Sequence, residues 1–296
     1  MNDKFLDKWL DGEESRRREK LLKQVSEVCA VPASAQRVMA LSSDENSDVK
    51  KIADAVSADP AIAAQLLKIA NSPLFAQSRT ITDLKRAVVL IGRKELHSIA
   101  VAMAMMAAVK LDAPLAKQLS NSSVLSATLA RVLAKHLGVP DLATAFLAGL
   151  LCEIGALACL SVDGDGYTQM WEKCGGAHEI MTLLEKDRYG ITSVEVGADM
   201  LTRNLLPKAV VEAVSIGVKD DLSEATTLQR ITLFARLSAP VIVKAAKDQD
   251  VEAIKENCAI IADNIGVSGV EPDQLLEMAV LAATAAELRL RGRPID

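Results

Sequence analysis

The stretch Leu142–Val162, LATAFLAGLLCEIGALACLSV, is 21 residues long, and its sole charge is Glu153. That length suffices to cross a bilayer as a helix. Three features argue against it. A carboxylate at the centre of a span costs about 2.5–3.5 kcal/mol on insertion scales. The apolar residues lean on Ala and Gly, and Asp141 and Asp163 stand at the flanks where basic anchors are expected. The segment is therefore read as a helix, Leu142–Leu160, buried inside a bundle, with Gly149 and Gly155 letting neighbouring helices come close.

The chain around it has the same character. Of 296 residues, 50% are hydrophobic but only 3% aromatic, and the apolar mass is Ala, Leu, Val, Ile and Met. Such side chains favour packed helices over sheets, and no run alternates with period two over a strand's length. The expected fold class is all-α. A net charge of −5 gives no general pull toward phosphate backbones or anionic lipid. The charged N-terminus has no apolar signal core, so the protein is expected in the cytoplasm. Its five cysteines are then expected as free, buried thiols.

Local signals divide the chain into helices. A Pro-led segment, VPASAQRVMAL, starts at Pro32. SDVKKIADAVSA follows, capped by Ser47 or Asp48. In DPAIAAQLLKIANSP, Asp59 caps, Pro60 takes the first helical position, and Asn71 with Pro73 stops the helix. TDLKRAVVLIG runs from Thr82 or Asp83 to Gly92. Ile99–Val109 is apolar all round and reads as a buried helix. Further helices are expected over Leu115–Leu137, Leu142–Leu160, His178–Tyr189, Ser193–Asn204, Lys208–Val218, Thr227–Lys247, Val251–Asn264 and Pro272–Leu290.

Catalytic equipment is sparse. The sequence has no phosphate loop, no Gly-x-Ser-x-Gly elbow and no His-Glu-x-x-His pair. His97, His136 and His178 lie far apart and read as surface or helix-end residues. Cys174 and His178 have a metal-ligand spacing, but Gly175-Gly176 lies between them and no second pair follows. The pair KIADAVSADPAIAAQLLKIA resembles a helix-turn-helix, yet Ala61, Ile62, Ala63 and Ala64 stand where base-reading polar residues belong. Nucleic-acid binding is not expected.

Taken together, VPASAQRVMAL, IADAVSADPAIAAQLLKIANSPLF and ITDLKRAVVLIGRKEL resemble the HDOD (HD-related output) domain, a bacterial signalling module similar to the HD metal-dependent phosphohydrolases. Its family motif residues here are Asp59, Pro60, Asn71, Ser72 and Gly92. The resemblance implies an HD-domain-like multi-helix bundle. Residues 1–20 form an N-terminal helix, and 21–220 the HDOD domain, divided into a helical part 21–112 and an HD-like part 113–220. Residues 221–296 make a C-terminal helical extension packed on it.

HD enzymes hold metals with a His in one helix, a His-Asp pair in the next and further histidines downstream. In this chain the resemblance puts Ser122, Cys152, Glu153, Ser193, Gly217 and Val218 at those positions. Glu153 stands at a ligand's place, and Ser122, Ser193, Gly217 and Val218 do not bind a cation well enough alone. The implied reading is a degenerate site in which Glu153 is a buried carboxylate satisfied by a Lys, an Arg or a backbone donor. A vestigial nucleotide or phosphate pocket and a live metal are the alternatives.

The expected function is accordingly a non-catalytic signalling or scaffold protein, without cofactor, that binds a partner protein through a groove between the N-terminal helices and the degenerate core. The alternative from another class is a metal-dependent phosphohydrolase acting on a nucleotide or phosphodiester. DNA-binding regulation ranks third. The amphipathic C-terminal stretch, with Glu287, Arg289, Arg291 and Arg293 against an Ala/Leu face, is expected to pack on the core, with a homodimer contact as the alternative.

Overall fold

The computed structural model describes residues 3–29, 33–44, 46–71, 80–92, 96, 99–100, 113–175, 177–248 and 250–285. Within them every regular element is helical, as composition requires. Pro32, Ser72, Pro73, His97, most of the expected Ile99–Val109 helix and the Glu287–Arg293 stretch lie outside the described residues.

The N-terminal helix α1 (Asp3–Val28) runs unbroken past residue 20. Its Leu21 and Val25 are buried in the central core. Helices α2 (Ala33–Ser43), α3 (Val49–Ser57), α4 (Pro60–Ala70) and α5 (Leu84–Ile91) then form a small cluster around Val38, Ile52, Val56, Leu66 and Val88. Its helix starts are those the caps predict: Asp48 accepts from the Lys50 N–H, and Asp83 from the Arg86 N–H.

The family motif residues brace this cluster. Asp59 caps α4 by accepting from the Ile62 N–H at 3.3 Å, and its other oxygen accepts from the Ser34 hydroxyl of α2 at 2.8 Å. Asn71 pairs with the backbone of Ile81 in both directions, its Nδ2 donating to the carbonyl at 2.7 Å and its Oδ1 accepting from the N–H at 2.6 Å. One side-chain amide thus closes the connection between α4 and α5 as a strand neighbour would. Gly92 ends α5 at φ 85°, in the region that favours glycine.

The central layer is built from α6 (Pro114–His136), α7 (Leu142–Leu151), α8 (Ile154–Val162), α9 (Gly164–Cys174), α10 (His178–Tyr189), α11 (Ser193–Arg203) and α12 (Lys208–Val214). Three expectations change here, the third at α12. The single helix over Leu142–Leu160 is broken: Cys152 and Glu153 form a turn between α7 and α8. Helix α9 is additional, started by Asp163, which accepts from the Gly166 N–H, and ended by Gly175 at φ 58°. Residues 145–160 of the Leu142–Val162 segment are buried throughout, in keeping with a core position.

Gly149 and Gly155 do allow close approach. A Cβ on Gly149 would meet the Ser126 carbonyl of α6, and one on Gly155 would overlap the Ser193 carbonyl of α11. The expected Lys208–Val218 helix ends at Val214, and the next residues turn where the Gly217 N–H donates to Asp220 Oδ2 at 2.6 Å.

The C-terminal helices α13 (Thr227–Asp248), α14 (Val251–Asn264) and α15 (Pro272–Ala285) share an apolar core with Leu125, Leu129 and Leu133 of α6. Helix α13 carries Pro240 in its interior, which has no N–H to offer the Arg236 carbonyl one turn back. The Ser126 hydroxyl donates to the neighbouring Ala235 carbonyl at 3.1 Å, tying α13 to α6 at that point. Arg230 locks the other end: its guanidinium donates to the carbonyls of Leu222, Ala225 and Ile265.

Candidate functional site

The break between α7 and α8 is what creates the site. Glu153 occupies the N-cap position of α8 with φ −106° and ψ 8°, but its side chain makes no capping bond. The carboxylate is directed instead to α13, where its Oε1 lies 3.4 Å from Arg236 Nε. Only 3% of the Glu153 side chain and 9% of the Arg236 side chain are exposed, so the pair is buried. Its separation exceeds the ~2.7–2.9 Å of a short charge-assisted hydrogen bond, and Arg236 Nε has no hydrogen-bond partner. Burial pushes Glu153 above the ordinary carboxylate range, Arg236 draws it down, and nearby Glu185 pushes it up again.

A second buried carboxylate stands behind the first. Glu185 of α10 accepts from the Tyr167 hydroxyl of α9 at 2.8 Å and from the Ser193 N–H of α11 at 2.8 Å. Burial nevertheless raises its pKa above the usual value. For Arg236, burial alone would lower the pKa, but Glu153, Cys152, Glu185 and Tyr167 around it hold the guanidinium above its ordinary value. Arg236 is thus a fixed cation inside a shell of acidic and polar groups.

The six positions assigned from the sequence are placed as follows. Cys152 and Glu153 sit at the helix break, and burial, with Glu153 beside it, pushes the Cys152 thiol up to about 12. Ser193 opens α11 and joins the site through Glu185. Val218 and Arg236 line the same cleft. Gly217 is engaged with Asp220. Ser122 is buried in α6, but the α6 serine that reaches Cys152 is Ser126, one turn on.

His178 joins the site from an unexpected side. It opens α10, the helix end foreseen for it, but its imidazole packs edge-on to Trp171 at 6.2 Å and its Nε2 is buried without a partner. Burial and the neighbouring Arg236 push it down to about 3, so it is neutral at physiological pH. His136, by contrast, is exposed and meets the Gly269 carbonyl at 3.1 Å. Cys174 of the Cys174/His178 spacing faces Met181 sulfur at 3.9 Å.

A metal centre of the HD kind does not fit this arrangement. The cation facing Glu153 is a guanidinium of the chain itself, and the other positions offer a buried thiol, two buried serines, a glycine and a valine. Among the described residues, no three His, Cys, Asp or Glu side chains converge as a metal site. Sequence reasoning anticipated a Lys, an Arg or a backbone donor for Glu153 without deciding among them. Arg236, Glu185, Tyr167 and Ser126 were missed. A signal existed for Glu185: with Met181 and Tyr189 it forms an i, i+4 stripe on the buried face of α10.

The family model described as the HDOD domain matches residues 28–217. Among solved structures, the chain is similar to a protein of Shewanella amazonensis SB2B named as a candidate phosphohydrolase, at 23% identity and a TM-score of 0.67, covering 90% of this chain and 97% of that one. An HDOD domain protein of unknown function from Geobacter sulfurreducens shares 18% identity at a TM-score of 0.59, covering 92% of this chain and 99% of the other. A protein of Marinobacter aquaeolei VT8 named as a candidate signal transduction protein shares 19% identity at 0.56, covering 92% and 66%. No curated protein gives a significant match.

Proposed function

We propose, for a chain that belongs to the HDOD family, a non-catalytic role in signal transduction: a helical scaffold that binds a partner protein. The observation that carries this reading is the Arg236–Glu153 ion pair. A hydrolytic metal centre needs several anionic or imidazole ligands around an open coordination position. Here a covalently tethered cation faces the one carboxylate at the family's ligand positions. Signalling also agrees with the name of the Marinobacter aquaeolei protein of like fold.

We propose that the partner docks where Met39 of α2 joins the α2–α5 cluster to the central core. Capture of binding proteins with the purified chain, repeated after charge-reversing substitutions at Lys50 and Lys51 on exposed α3, tests it. A partner retained by the native chain and lost on reversal supports the reading. Turnover of a phosphodiester in the presence of Mn²⁺, abolished in Glu153→Ala, would replace it with a phosphohydrolase.

A further inference from the structure

Helix α10 has one face held and one face open. Met181, Glu185 and Tyr189 fix its inner side in the protein interior, which leaves Ile180 and Leu183, one turn apart, on the outside at 49% and 55% exposure. A single exposed apolar side chain is ordinary on a folded surface. The other large apolar side chains exposed among the described residues, Val28, Val89, Leu205, Ile260 and Leu281, stand singly along the chain. On α10 two of them lie at i, i+3 and share one strip of surface, bordered by the half-buried Leu184.

The charges beside this strip decide what covers it. Glu179 and Lys186 are exposed and lie seven residues apart, a step that returns to almost the same side of a helix, so both stand on one flank of the strip. At about 1.5 Å per residue they are separated by about 10 Å along the axis and cannot pair with each other in one chain. Among the described residues neither takes part in an ion pair. Setting a second copy of α10 antiparallel on the first, with Ile180 of each copy against Leu183 of the other, brings Glu179 of each copy to the flank where the other presents Lys186, as flanking charges do in paired helices. The contact is its own complement, as a two-fold dimer requires. We propose that two copies of this chain associate through α10 in this register. A contact of one short helix per chain falls below the ~1,000 Å² that marks a stable interface, so the dimer is weak and forms with rising concentration. It uses a different helix from the docking place proposed at Met39, and the two readings fail independently.

The test is sedimentation equilibrium of the purified chain over a wide concentration range, with circular dichroism confirming that each variant folds. All substituted side chains are exposed, so their effect is read on association. The native chain is expected to rise from the mass of one copy toward that of two, and Leu183→Glu to remain a monomer. Glu179→Lys and Lys186→Glu, which each set like charges opposite one another twice, are expected to weaken the dimer about fivefold or more, and the two combined to restore it to within about twofold. A monomer at every concentration, a dimer indifferent to Leu183→Glu, or a double charge swap as weak as the single variants would overturn the proposal.

Discussion

Glu153, at the break between α7 and α8, and Arg236, near the middle of α13, meet at 3.4 Å in the interior and tie the C-terminal helices to the central layer. Breaking a buried pair from one side leaves an uncompensated charge and costs about 3–5 kcal/mol, whereas replacing both partners by apolar groups is often neutral. Arg236→Met is therefore expected to lose about 3–5 kcal/mol in urea denaturation, and Glu153→Leu combined with Arg236→Met to recover most of it. A double variant no better than the single one would show that the two residues do not act as a pair.

The imidazole of His178 sets a pH dependence of definite sign. Its folded pKa, about 3, lies below the ordinary 6.5, so the stability it contributes is complete above pH 6.5 and is lost as pH falls toward 3. Glu153 and Glu185 act oppositely: both are raised above 4.5 by burial, so their contribution is complete below about that pH and is lost as pH rises through their folded values. Subtracting a His178→Gln variant isolates the first effect. The stability advantage of the native protein over that variant should shrink steadily between pH 7 and pH 4; a constant difference would show that the ring is not held neutral.

Gly155 passes against the Ser193 backbone so closely that no Cβ fits. Gly155→Ala must therefore part α8 from α11, at a cost of about 1–3 kcal/mol or more. Gly12, which has nothing within 4 Å of where its Cβ would be, is the control: alanine there is expected to leave the melting temperature unchanged or slightly raised.

Arg230 serves three carbonyls from one fork. Arg230→Lys keeps the charge but cannot reach all three. Both Arg230→Lys and Arg230→Ala should destabilise the chain by about 2 kcal/mol or more, and hydrogen exchange should rise first in α13 and α14.

Much of the fold was legible in the sequence because caps and stripes are local. Asp48, Asp59 and Asp83 announce helix starts through side-chain oxygens a few residues from the N–H groups they serve. The division of Leu142–Val162 into two helices was not legible, since its turn at Cys152-Glu153 contains neither Gly nor Pro and is dictated by where Glu153 must point. Helix α9 was hidden because its start, GDGY, looks like a loop until Asp163 is seen to cap it. The site itself divides along the same line. Glu153 stood out as a lone charge in an apolar run, but Arg236 lies in a helix rich in other polar residues, and only the packing of α13 on α6 brings it to Glu153.

The central claim is that the chain's own guanidinium occupies the place a metal would need. It is tested most directly by measuring the metal content of the native protein after incubation with Mn²⁺, Fe²⁺ or Zn²⁺ and desalting. The account predicts no stoichiometric metal on the native protein and no difference in content from Glu153→Ala. One or two tightly held cations per chain, lost in Glu153→Ala, would contradict it.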